Sequence, residues 1–179
     1  MNVAALANAG MTQILTKAAL AADAGSVSTY STTGTMLISR NGVEFTKAAV
    51  TNGTTPTTDA NSGAAFVALY GGGSVANTPG EGTKFVWMVN SSGTVKVAQV
   101  LQSPGYQRAF PLDMSNGFTA QGGKPGMPPI PEGYVPFAVM TVKAGPTASA
   151  SGWIFGTGNW NATGITVAVE DINTVPNRP

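Results

Sequence analysis

Three features of the 179-residue chain predict a mainly β fold, an antiparallel sandwich or jelly-roll-like barrel. Residues 165–172 alternate cleanly: Ile165, Val167 and Val169 point one way, while Thr166, Ala168 and Glu170 point the other. That is the period-2 signature of a half-buried strand. Asn41-Gly42, set between TMLISR and VEFTK, readily takes the two positive φ values of a type I′ hairpin turn. Finally, only 9% of residues are charged, against roughly 25% in ordinary soluble domains. Thr, Ser, Gly and Asn supply the missing polarity, a composition that suits strands and turns.

The N-terminal stretch is the one predicted helix. Met11, Ile14, Leu15, Ala18 and Ala22 recur at helical spacing, Gln13, Thr16 and Lys17 fill the other side, and Gly25 is a stop signal. The apolar stripe is narrow, and a Gly/Ser/Thr segment follows it. Residues 1–34 are therefore expected to be a helical arm and linker, and residues 35–179 the β domain. Met11, Ile14, Leu15 and Ala18 are the candidate contacts of the arm with copies of itself or with a partner. No basic residue precedes the apolar part and Lys17 interrupts it, which argues against a signal peptide. No run reaches the ~20 apolar residues of a membrane span.

In the hairpin of residues 35–47, Ile38 should face Phe45 and Ser39 should face Glu44. Residues 51–63 form a polar loop, and residues 64–70 a short strand ended by Gly71-Gly72-Gly73. No Lys-Ser/Thr follows those glycines, so they are not a phosphate loop. Residues 84–89 and 94–101 form a second hairpin, with Phe85, Trp87 and Val89 on one face and Val95 with Val97 on the return strand. Residues 103–136 carry seven prolines and read as a long, extended, irregular loop. Residues 134–143 are apolar on both faces: Val135, Phe137 and Val139 against Ala138, Met140 and Val142. One face can fill the domain's own core. The other must meet a second layer or another subunit, which adds Phe137 and Met140 to the candidate contacts.

Chemistry is sparse. With no Cys and no His, the chain lacks thiol nucleophiles, zinc sites with nitrogen or sulfur ligands, and the usual general base near neutral pH. Glu170 and Asp171 leave opposite faces of one strand and cannot converge as a glycosidase pair. Asp59-Ala60-Asn61 begins a calcium loop but lacks the distal Glu. A net charge of +1, with its basic residues scattered singly, gives no stripe that would track phosphates. The expectation is a non-enzyme with no catalytic residue, cofactor or metal, and no nucleic-acid or membrane partner. Trp153 and Trp160 lie near Gly/Ser/Asn turns, where they could stack on sugar rings or plug the end of the barrel.

The segments ISRNGVEFTKAA, TPTTDANSGAAFVAL, FVWMVNSSGTVKV, PFAVMTVKAG and GNWNATGITVAVEDINTVPNRP together resemble a recurring type of small bacteriophage virion protein, the head decoration (cement) or head-fibre subunits. The resemblance covers roughly residues 35–179 and implies a homotrimer on the capsid surface of the virion. It implies the major capsid protein or a neighbouring virion protein as partner, and a structural role in stabilising or decorating the head. The alternative is a tail or fibre subunit that binds host-surface glycans through Trp153 and Trp160.

Overall fold

The structure, a computed structural model, describes residues 13–16, 18–22, 29–40, 43–71, 80–101, 110–113, 119–120, 127–148 and 151–172. In chain order the strands are β1 (Gln13–Ile14), β2 (Leu20–Ala22), β3 (Thr29–Thr32), β4 (Met36–Arg40), β5 (Val43–Lys47) and β6 (Gly53–Thr54). They continue with β7 (Glu81–Asn90), β8 (Val95–Gln99), β9 (Phe110–Asp113), β10 (Thr119–Ala120), β11 (Tyr134–Ala144) and β12 (Ile165–Asp171). The described fold is mainly β, built from antiparallel sheets packed against each other. Two sheets are three-stranded, β1-β4-β5 and β2-β3-β6; the third runs β10-β9-β7-β11-β12, with β8 also paired to β7.

β7 is the centre of the large sheet, and its sequence explains why. All of EGTKFVWMVN is buried except half-buried Lys84 and Asn90, the near-continuous apolar run of a strand covered on both faces. Phe85, Trp87 and Val89 enter the main core, which also takes Ile14, Met36 and Ile38 from one small sheet and Leu20 and Tyr30 from the other. Val86 and Met88 point the opposite way, into a smaller cluster with Ala98 and Val100, packed against Ala60, Ile130, Tyr134 and Val139. Both predicted hairpins form, the first in its predicted register. Ile38 pairs with Phe45 and Ser39 with Glu44, while β7 returns through β8 with Trp87 opposite Val97. The turn residues Asn41 and Gly42 lie outside the described residues.

Four expectations are corrected. Where described, residues 11–22 are not helical: Gln13 and Ile14 pair with Ser39 and Ile38, Leu20–Ala22 pair with β3, and Ala19 between them takes a φ of 47°. Helix propensity is a weak prior, and a narrow stripe buries less than an isoleucine placed whole in a sheeted core. Thr16 extends this pairing, since its Oγ1 accepts from Leu37 N (2.6 Å) and donates to Thr35 O (3.0 Å). The described part of the expected arm and linker thus belongs to the sheets. Met11 and the residues before it lie outside the described set.

Residues 64–70 form no strand, only bridges from Ala65 to Thr58 and from Leu69 to Trp153. The Gln99 amide takes the place of a neighbouring strand: Val67 N donates to its Oε1 (2.7 Å) and its Nε2 donates to Val67 O (3.0 Å). In β11 the register shifts between Pro136 and Ala138, which leaves Phe137 as the extra residue of a bulge. The bulge reverses the alternation, so Val135 and Phe137 share the main core with Ala138, Met140 and Val142, and Val139 turns to the other face. Pro136 is tolerated because β12 reaches only to Ala138 in its pairing with β11. Finally, the proline-rich stretch is not wholly irregular, since it contributes β9, paired to β7, and β10, paired to β9.

Candidate functional site

Trp153 and Trp160 are brought together by the turns of residues 151–164. Their ring centroids lie 5.5 Å apart, and Phe155 packs edge-on to Trp160 at 5.1 Å. Phe155 also stacks on Phe85 at 4.1 Å and meets Phe66 at 4.8 Å, so the cluster continues down to β7. Both indoles spend their polar handle internally: Trp153 Nε1 donates to Asn159 O (2.9 Å) and Trp160 Nε1 to Thr29 O (3.1 Å). Gly158 lies so close beneath Trp153 that a Cβ there would run into the indole. Each indole is 5% exposed. Stacking on a sugar needs an open ring face, and here the faces meet other aromatics; the two tryptophans close the end of the core.

The candidate partner contacts also face inward. Ile14, Ala18, Phe137 and Met140 are fully buried in this chain's own core, and Leu15 is half-buried. None of the four could meet a partner without opening the fold. The apolar second face of β11 meets a second layer within the chain, the cluster under Ala60 and Ile130.

The carboxylates serve the backbone. Asp59 Oδ2 accepts from Asn61 N (3.1 Å), Ser62 N (2.9 Å) and Ser62 Oγ (3.0 Å), and Oδ1 accepts from Gln99 N (2.8 Å). The calcium-like beginning at Asp59 is therefore an Asx-type staple joining a loop to β8. Glu81, buried, accepts from Tyr70 N (3.0 Å). Asp171 accepts from Leu20 N (3.0 Å), tying β12 to β2, while Glu170 is exposed on the other face. Among the described residues no three Asp or Glu side chains gather as a metal site.

A groove of about 280 Å³ is lined by Ala22, Trp160, Asn161, Val167 and Val169. It runs along β12, the last strand of the large sheet. Comparison with family models, with curated proteins and with solved structures gives no match. The alternation of residues 165–171 already places Val167 and Val169 inward. That no described strand flanks them is a property of the topology, and no local sequence signal carries it.

Proposed function

We propose that this chain is a non-enzymatic structural protein of a bacteriophage virion, a homotrimeric decoration (cement) or head-fibre subunit. The observation that carries the proposal is the resemblance of five segments to proteins of that type. Four of those segments are the scaffold of the fold: the β4–β5 hairpin, the β7–β8 hairpin, β11 and β12. The chemistry of the chain is consistent with it, because its described carboxylates are single or engaged in holding loops and strands. As a cement subunit it bridges neighbouring capsomers at the capsid surface. Burial of apolar area at ~25 cal/mol per Å² opposes their separation, and many copies make the effect collective.

The test compares particles with and without the protein. Heads lacking it should release their DNA at a lower temperature, and adding the purified chain should restore the parent's release temperature. Identical release curves with and without the chain would refute a stabilising role.

A further inference from the structure

No described strand pairs with the outer edge of β12. Two backbone hydrogen bonds fix which groups point there. Gly145 N donates to Gly164 O (2.7 Å) at one end of the β11–β12 ladder, and Ile172 N donates to Phe137 O (2.8 Å) at the other. The register between them is unbroken, from Ala144 opposite Ile165 to Ala138 opposite Asp171. Bonded and non-bonded pairs alternate along an antiparallel ladder, so Thr166, Ala168 and Glu170 bond to β11. Val167 and Val169 therefore turn their N–H and C=O outward. Their side chains line the groove beside Trp160 and Ala22. Backbone donors and acceptors thus run along an apolar trough.

An unpaired edge is a template for another strand, and natural edges are blunted by Lys, Pro or bulges. Residues 165–171 carry no Lys and no Pro, and their pairing with β11 has no bulge. We propose that β12 pairs antiparallel with β12 of a second copy of this chain, about a two-fold axis through Ala168. That axis lies at the midpoint of Ile165–Asp171, so all seven residues overlap. Val167 of each copy then faces Val169 of the other, and the four valines exchange their free backbone bonds across the axis.

The strand is self-complementary in this register. Ala168 meets Ala168, the smallest pair at the closest approach. Thr166 meets Glu170, a hydroxyl against a carboxylate, and no two like charges are opposed. Ile165 meets Asp171 only at the two ends of the ladder, and centring on Val169 or on Val167 instead shortens the overlap to five residues of the strand. The contact is isologous and closes on two copies. It is independent of the virion reading; within a trimeric particle component it joins neighbouring trimers.

The absence of cysteine makes the test direct. Ala168 is exposed, and the proposed axis puts two copies of it at a non-hydrogen-bonded pair about 4.5 Å apart between Cα atoms, within reach of a disulfide. Full-length Ala168→Cys, mildly oxidised at micromolar concentration, should run mainly as linked pairs on a denaturing, non-reducing gel. Thr166→Cys is equally exposed but lies roughly 14 Å along the strand from its own copy, so it should link at least tenfold more slowly. Mixing Thr166→Cys with Glu170→Cys should restore fast linking between the two. Circular dichroism of each variant reports that the fold is retained. Linking of Ala168→Cys no faster than that of Thr166→Cys alone would overturn the proposal.

Discussion

Replacing Ile14 with alanine should cost about 3–4 kcal/mol of folding stability. Ile14 is fully buried, pairs with Ile38 and sits in the main core. The substitution removes three carbons worth ~0.8 kcal/mol each in transfer free energy, and the cavity left behind adds to the loss, within the ~2–5 kcal/mol range of such truncations. For a chain of this size the melting temperature should fall by roughly 10 °C. Leu15, half-buried beside it, is the internal control: Leu15→Ala should cost about 1 kcal/mol, in proportion to its lesser burial. Urea unfolding followed by tryptophan fluorescence reads both, since Trp87, Trp153 and Trp160 are all buried. If Ile14→Ala leaves the unfolding midpoint unchanged, residues 13–22 are an appendage and the pairing of β1 with β4 is wrong.

Three further perturbations follow from particular contacts. Gly164 has a φ of +79° and a Cβ there would press on the backbone of Ala148; Gly164→Val should destabilise by at least ~1–3 kcal/mol, read as a lower melting temperature. Gln99→Ala strips the partners from Val67 N and O, with an expected loss of about 1–3 kcal/mol and faster amide exchange at Val67. Burial holds the Tyr30 phenol above its ordinary value of 10.0. The folded state therefore binds that proton more tightly, so its contribution is complete below about pH 10 and lost as pH rises through the raised value. Tyr30→Phe should flatten that alkaline decline in stability, measured by denaturation across pH 9–11.

Much of the β architecture is legible from short-range pattern. The Asn41-Gly42 dipeptide and its apolar flanks give the Ile38–Phe45 register, and the alternation at 165–171 gives a strand with its valines inward. What escapes such reading is set by long-range partners. Residues 13–22 carry a helical spacing, yet Ile38, 24 positions from Ile14, decides their conformation by pairing with it. Gln99 is 32 residues from Val67 and replaces a strand with one amide. The β11 bulge moves Phe137 and Ala138 into one core, and strict alternation separates them. The inward turn of Trp153 and Trp160 depends on the same long-range packing, since their partners Phe85 and Leu69 (for Trp153) and Thr29 (for Trp160) come from distant strands and loops. Turn composition around an aromatic cannot distinguish a platform from a plug.

The position of the chain in an intact particle tests the central claim most directly. If the proposed virion role holds, antibody raised against the folded domain, gold-labelled and applied to purified phage particles in which the chain is detected, should mark the head surface at many sites per particle. Label confined to the tail tip, or particles that carry none, would contradict the account.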